Sequence, residues 1–587
     1  MMHSYLLYDA CLPLNAVNSP YFQQMINAIS LFGEYEAPSY HDLRTNLLAE
    51  SKRELQLLVD TYRVSWEECD YTIMGDGWKD QRKRCLINFL VYSPIGITFI
   101  KSVDATDIVS TAANLCDLFS EVVEYVGPKN VVQMVTDNAA NYKAAGSLLN
   151  DKYPHIFWTP CAAHCINLIL KDIADIPYIG DLAKRAAYIT IFVYNHKWTL
   201  SWLRRRKGWT EILRPGETRF ATTFIALKSL HEHQRDLQAL VVSADFVSWS
   251  GSRSVKARRV EGIVLNSQFW NDVAVVSNLA TPLVRLLRLM DTDEKPTLGY
   301  VYDGMLRAVR AMKEAFQQDE KKYLPFTRIM NRRWRDQLCR NIHAAAYYVN
   351  PVFHYGHERF RPPSEVYEGF CAILDNKHIV EDNRNMANEV SHFKDCLNTY
   401  GTELAITNSQ TRPGNTCFIY ALLDVSFIRC LMFLFFMLST CFFCFIFIIS
   451  FACWLEKWWE MFGHSTPNLQ KVAIRLLSQT ASSSGCERNW NVFERIHTQK
   501  RNRLEHERLS DLVCTHYNFR LKNKYIIDNH SLLYKFYCFN VVLMKYYSFV
   551  GLPTKKIVWI LLIILALTRL MLGLLRKIHH KNVFQFV

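Results

Sequence analysis

Between residues 60 and 175 the apolar positions predict a run of short, regular elements. Tyr71-Thr-Ile-Met-Gly-Asp76 reads as an apolar strand that ends on a carboxylate. Leu86 to Tyr92 and Ile97 to Lys101 are two more β-rich runs, split by a Ser93-Pro-Ile-Gly96 turn. From about Thr106 to Val126, Ile108, Ala112, Leu115, Leu118, Phe119 and Val122 recur at helical spacing. Gly127-Pro128 stops that helix. Val131 to Thr136 then reads as a buried strand that runs into Asp137-Asn138. A helix from about Ala140, a strand over Ile156 to Thr159 and a helix over Cys161 to Ile173 complete the series.

Three antiparallel strands, then helix, strand, helix, strand and helix, is the order of a ribonuclease H-like α/β fold. In that order the strand ends bearing Asp76 and Asp137 become neighbours. Asp is also a common turn and N-cap residue, so each carboxylate alone has a plain structural reading. Residues 1–60 read as helical and polar, with a break near Pro38. Residues 176–414 are mostly helical, punctuated at Pro215-Gly216 and Pro362-Pro363. Their Arg204-Arg-Arg-Lys207 run is either a phosphate contact or a solvated helix face. From Trp454 to Leu521 an amphipathic pattern returns. Thr466-Pro467 marks a helix start, with Leu469, Val472, Ala473, Leu476 and Leu477 on one face.

Two stretches break the globular pattern. Cys430 to Leu455 is 26 residues without a charge, and Ile557 to Leu575 is 19 residues interrupted by Arg569 alone. Both are long enough to cross a hydrocarbon layer about 30 Å thick. Composition pulls the first run elsewhere: residues 417–453 hold 10 of the 35 Phe and neither Gly nor Pro. Phe, Leu, Ile, Cys and Ser share thymine-rich codons, so a translated intron reads this way. A retained intron, a transmembrane helix and a buried helix stand as alternatives for residues 415–453. The apolar tail, 523–587, is a gene-model artefact or a second transmembrane helix. A membrane is a partner only if these runs are genuine.

Composition narrows the class. Half of the residues are apolar and 21% are charged, which excludes a disordered chain or a small disulfide scaffold. The net charge of +13 suits a polyanionic partner. The 17 cysteines have no repeated spacing, and Met1 to Asn15 lacks the build of a signal peptide, so free thiols in a reduced compartment are expected.

Several motifs occur in a fixed order: Val135-Thr-Asp-Asn138, Trp158-Thr-Pro-Cys-Ala-Ala-His-Cys165, Arg214-Pro-Gly-Glu-Thr-Arg-Phe-Ala-Thr222, Ser482-Ser-Ser-Gly-Cys-Glu-Arg-Asn-Trp490 and Ile496-His-Thr-Gln-Lys-Arg-Asn-Arg-Leu-Glu505. Together they resemble the plant hAT transposase superfamily over about residues 8–410 and 454–522. The resemblance implies an RNase H-like core, begun in residues 61–175, interrupted by a large helical insertion in 176–414 and completed by a mostly helical dimerisation region in 454–522. It implies a catalytic, metal-binding triad of Asp76, Asp137 and Glu487 that holds Mg²⁺ or Mn²⁺ for DNA strand cleavage and transfer. Cys161 and His164 match a signature motif. Their spacing is half a zinc site without a second pair, so a supporting role is expected.

Arg219, Arg488, Lys500, Arg501 and Arg503 are DNA-contact candidates. Trp458, Trp459, Leu469, Val472, Leu476, Trp490 and Phe493 are dimerisation candidates, with packing on the insertion as the alternative. No zinc finger precedes Asp76, so N-terminal truncation is expected. The combined expectation is a nuclear, dimeric, DNA-binding protein derived from a transposase, with its catalytic site inactive in this chain. The alternatives are a non-enzymatic DNA-binding dimer and a membrane-anchored protein.

Overall fold

The computed structural model describes residues 38–519 other than 81–82, 95, 107–110, 217–220, 293–294, 356–359, 381–383, 411–454 and 497–504, together with residues 8, 16–17 and 22. The expectations for residues 415–453 and 523–587, and for Arg219, Lys500, Arg501 and Arg503, lie outside the described residues.

The chain forms two compact units. The larger comprises Cys69–Ile97 and Ser102–Arg488. The smaller comprises Met1–Glu68, Thr98–Lys101 and Asn489–Val587.

Five strands, β1 (Tyr71–Lys79), β2 (Cys85–Ser93), β3 (Gly96–Asp104), β4 (Val131–Thr136) and β5 (Phe157–Pro160), form one mixed sheet in the order β3-β2-β1-β4-β5. β1 pairs antiparallel with β2 and parallel with β4, and β4 pairs parallel with β5. Every residue of β4 is buried, as are Leu86 to Ser93 of β2. Continuous apolar runs of this kind belong to strands covered on both faces. β1 differs. Its first five residues are buried, and from Asp76 onward burial gives way to exposure. Asp76 therefore stands where β1 leaves the core.

Three helices follow the strands. α1 (Ala112–Val126) starts later than the apolar spacing predicts, because the Thr111 hydroxyl accepts the Asn114 N–H and caps it there. Gly127, with φ 106°, ends it. α2 (Ala140–Lys152) crosses Trp158 of β5 so closely that a Cβ on Gly146 would lie 2.1 Å from the indole. α3 (Ala162–Ala174) leaves β5.

The longest helix of residues 177–410, Ser267–Met290, buries Phe269, Trp270, Leu279, Leu283 and Leu286. Among the described residues this is the one helix long and apolar enough to cross a membrane by length and composition. It lies against α3 and the helices Ala221–Glu232 and Val301–Ala315 as a core element.

The insertion is fastened to α3 by a charge cluster. Arg333 donates from Nε to Asp172 Oδ2 and from Nη2 to Oδ1, both at 2.8 Å, and Arg332 Nη2 adds a bond at 3.1 Å. These bonds, above all those from Arg333, hold the Asp172 carboxyl below its ordinary value. A carboxylate with a lowered folded-state pKa stabilises the fold above its unfolded pKa, and that contribution disappears as pH falls through the folded value. We expect Asp172→Asn to cost about 1 kcal/mol at neutral pH, because the cluster is open to water on one side. The difference from wild type should begin to shrink as pH falls below about 3.8, the ordinary Asp value, and vanish only below the lowered folded-state value. Urea melts of both proteins across pH 3–7 check this.

The segment after residue 454 docks on the insertion. Trp459 Nε1 donates to Val349 O at 2.9 Å, and Trp458 Nε1 donates to Ala405 O at 3.0 Å. The next helix, Pro467–Leu477, starts at the predicted Pro467. Its N-terminus is capped from elsewhere in the chain: the buried Glu389 carboxylate accepts the Leu469 N–H at 2.7 Å and Asn468 Nδ2 at 2.9 Å. A carboxylate at a helix N-terminus meets both unsatisfied N–H groups and the positive end of the dipole.

The two ends flanking residues 411–454 therefore already meet. Ala405 lies five residues before one end of the helix Glu403–Gln410, and Trp458 lies three residues after Leu455. At ~1.5 Å per helical residue and about 10 Å between packed axes, the gap is at most about 22 Å. About seven extended residues span that distance. Replacing 411–454 with eight Gly/Ser residues should leave the melting temperature within a few degrees of the full chain. Loss of a cooperative transition in calorimetry would contradict the packing.

In the smaller unit, Asn518 forms two bonds with one strand residue: Phe99 N donates to Oδ1 at 3.2 Å, and Nδ2 donates to Phe99 O at 3.3 Å. Lys52 pairs with Asp511, and the Phe99 and Tyr517 rings lie 6.4 Å apart.

Candidate functional site

The site is built on one face of the sheet, at the C-terminal ends of β1 and β4. The parallel register sets Met74 beside Val135. Two residues further along each strand come Asp76 and Asp137. Side chains alternate along a strand, so Asp76 shares the face of Met74, while Asp137 is the first residue after β4, and the two carboxylates stand at neighbouring strand ends. Both are partly buried. Asp137 is oriented by its own backbone, because its Oδ1 accepts the Ala139 N–H at 2.9 Å.

The same face carries a buried polar ladder four residues earlier in each strand. Gln133 Nε2 donates to Thr72 Oγ1 at 3.0 Å, and Thr159 Oγ1 donates to Gln133 Oε1 at 3.1 Å. Segment 479–481 docks on this ladder. Thr72 Oγ1 donates to Gln479 Oε1 at 2.8 Å, and Gln133 Nε2 also donates to Thr480 O. Thr297 N and Leu298 N both donate to Gln479 O at 3.0 Å, which adds the insertion to the junction. Each group is buried, and burial of unpaired polar groups is costly, so the pairing fixes one register.

Arg475 strengthens the junction from the preceding helix. It pairs with Asp70 at 2.8 Å and donates from Nη2 to Val131 O at 3.0 Å, at the starts of β1 and β4. Burial raises the Asp70 carboxyl despite this cation.

The latch leads into the turn that carries Glu487. After Ala481 the chain turns through three serines into the helix Ser484–Ile496, with Glu487 in its first turn. Ser482 Oγ accepts the Ser484 N–H at 3.1 Å. The Cys161 thiol holds the turn: Sγ lies 3.3 Å from Ser482 Oγ and accepts the Ser483 N–H at 3.4 Å. Ala162 N donates to Ala481 O at 2.9 Å, and Cys161 N to Thr136 O at 2.7 Å. Burial raises the Cys161 thiol, and the Glu487 carboxylate raises it further. The structure thus places Cys161 as a clamp between the end of β4 and the Glu487 turn. His164, one turn along α3, is half-buried.

On the opposite face, Tyr142 of α2 reaches the same strand ends. A Cβ on Gly77 would lie 2.7 Å from the Tyr142 hydroxyl, so a side chain there would push the phenol away. Burial raises the Tyr142 phenol, and the negative charges of Asp137 and then Asp76 raise it further. Trp158 anchors the strand just before Asp137, as its Nε1 donates to Thr136 Oγ1 at 2.9 Å. Among the described residues, no three His, Cys, Asp or Glu side chains converge tightly enough to enclose a metal ion.

Several sequence candidates have other occupations. Arg488 Nη1 donates to Asp291 Oδ1 at 2.8 Å and to Asp291 O at 2.7 Å, so it ties the Glu487 turn to the end of the long insertion helix. Arg204 is paired with Glu211, and Arg206 with Asp236. Trp458, Trp459, Leu469, Val472, Leu476, Trp490 and Phe493 are all buried within the single chain. The amphipathic faces proposed for a second copy are thus already covered: Trp458 and Trp459 by the insertion, and Leu469, Val472 and Leu476 in the same core.

The sequence reading did not find Thr72, Gln133, Gln479, Tyr142 or Ser482. A signal existed for two of them: Thr72 and Gln133 are polar residues in apolar strands, each four residues before an Asp.

Residues 38–189 match the sequence model of a domain of unknown function (DUF659). Residues 454–519 match that of the hAT family C-terminal dimerisation region. No curated protein matches the chain. The first match covers the sheet with Asp76 and Asp137, the second covers the latch with Glu487, and together they make this chain a hAT family transposase-like protein with that family's dimerisation region.

Proposed function

We propose that the protein acts on DNA as a divalent-metal-dependent strand-cleaving and strand-transfer enzyme, self-associated through its C-terminal region. One observation supports this reading: the paired strands β1 and β4 bring Asp76 and Asp137 to neighbouring strand ends, and a hydrogen-bonded latch ties the segment leading to Glu487, 350 residues after Asp137, to the same strands. The strand order, with its antiparallel and parallel pairs, supports an RNase H-like core. The net charge of +13 supports a nucleic-acid partner, and with it a nuclear location.

The donor set fits Mg²⁺ or Mn²⁺. Carboxylate oxygens are hard ligands, and Mg²⁺ keeps several waters while taking one or two carboxylates, so an open arrangement suffices. Asp76 and Asp137 would hold the cation, with Glu487 closing the site. When bound, a divalent cation there polarises a phosphodiester oxygen and stabilises the charge of the leaving oxygen. The chain's own contribution is placement. The Ala139 N–H aims Asp137, the β1–β2 hairpin fixes Asp76, and Cys161 with Gln479 fixes the Glu487 turn.

The test is nicking of supercoiled plasmid by the full chain. Cleavage is expected with Mg²⁺ or Mn²⁺ and none with EDTA. Cleavage that persists in EDTA would overturn the metal-dependent reading. Absence of cleavage under every cation would overturn the enzymatic one.

A further inference from the structure

One residue beside the carboxylates has no occupation in the account above. Asn88 lies on β2 directly across from Asp76 in the antiparallel pair. Cross-strand partners present their side chains on the same face, about 5 Å apart. Asn88 and Asp76 therefore sit side by side across β2 and β1, and Asp137 follows the end of the neighbouring β4. Asn88 is 0% exposed, and neither its Oδ1 nor its Nδ2 has a hydrogen-bond partner among the described residues. The Glu487 turn closes over it, as Cys486 Sγ approaches Asn88 O at 3.9 Å.

A buried carboxamide with both ends unpaired is costly, and apolar side chains fill the neighbouring positions of β2 without that cost. A structural role in the core would leave the amide bonded, as Gln133 and Gln479 are on the same face. Among the described residues nothing supplies a partner for the amide beside Asp76. An amide has one acceptor end and one donor end. A hydrated divalent cation at Asp76 satisfies both: a water of its shell donates to Oδ1, and Nδ2 donates to the Asp76 oxygen turned away from the cation.

We propose that Asn88 is a positioning residue of the cation site, binding a water ligand of the cation and fixing the orientation of the Asp76 carboxylate. This rests on the three-carboxylate reading above. It adds a neutral, fully buried group to a site otherwise made of charges. Second-layer groups of this kind typically change metal affinity by about 10–100-fold.

The test uses the full chain, with Mn²⁺ as the probe, and reads free Mn²⁺ by electron paramagnetic resonance alongside thermal melting without metal. Asn88→Leu should weaken Mn²⁺ binding about tenfold while leaving the metal-free melting temperature unchanged or raised, because it removes an unpaired amide. Asn88→Asp keeps an oxygen acceptor and should retain affinity within about threefold of wild type. Asn88→Leu with wild-type affinity, or with a lowered metal-free melting temperature and unchanged affinity, overturns the proposal. Asp137→Asn separates this from failure of the parent reading. If Asp137→Asn abolishes Mn²⁺ binding while Asn88→Leu does not affect it, the carboxylate site stands and the Asn88 role falls. If Asp137→Asn binds Mn²⁺ as wild type does, or if wild type binds none, both fall together.

Discussion

Asp137→Asn, Asp76→Asn and Glu487→Gln should each lower Mn²⁺-dependent plasmid cleavage by on the order of a thousandfold, equivalent to about 4 kcal/mol of transition-state stabilisation. The three changes are close to isosteric, and each removes one negative charge. Asp76 and Asp137 are partly buried at strand ends, and Glu487 lies in the first turn of a helix, so none is a packing residue. Circular dichroism and melting temperature should therefore stay close to wild type, which separates lost chemistry from lost fold. Asp137→Asn keeps an oxygen that can accept the Ala139 N–H, so the turn itself should persist. A variant that cuts at the wild-type rate removes that residue from the site.

Leu469→Glu or Leu476→Glu should unfold the protein, not release folded monomers. Both side chains are buried, at 0% and 2% exposure. A carboxylate placed there has no partner, and such a change costs upwards of about 4 kcal/mol against a total stability of about 5–15. Val472, on the same face, behaves alike. Sedimentation together with circular dichroism distinguishes the outcomes. Aggregated or unstructured protein is expected. A folded monomer would instead mean that this face meets a second copy. The self-association that the family region brings has to use surface that the single chain leaves open. In this stretch Met461, at 46% exposure, and Lys471 are examples.

The sheet was legible because its strands are apolar runs with turns between them. β4 has the predicted bounds, and β2, β3 and β5 differ from the apolar runs by one to three residues. β1 runs on past Asp76 to Lys79 because its hairpin partner continues, with Trp78 opposite Leu86 and Lys79 opposite Cys85. Residues that are partly or fully exposed at the end of a strand give no apolar alternation, so that extension was invisible. α1 begins at Ala112, where Thr111 caps it, and the expectation at Ile108 lies outside the described residues.

Asp76 and Asp137 were legible from strand order. Glu487 came from resemblance alone. What holds the turn before it is a set of single hydrogen bonds from Gln479, Thr480 and Ser482, and such contacts leave no periodic trace. The C-terminal amphipathic faces show the opposite failure. Their spacing says that a face is buried, but not whether the chain's own insertion or another copy covers it.

The most direct measurement of the central claim is iron-directed cleavage of the protein itself. Fe²⁺ takes oxygen-rich divalent sites, and with ascorbate and peroxide it cuts backbone near where it is bound. The account predicts fragments ending close to residues 76, 137 and 487, all suppressed together by excess Mg²⁺ and absent in Asp137→Asn. Cuts near only one of the three, or a pattern that Asp137→Asn leaves unchanged, would contradict a single site built from these carboxylates.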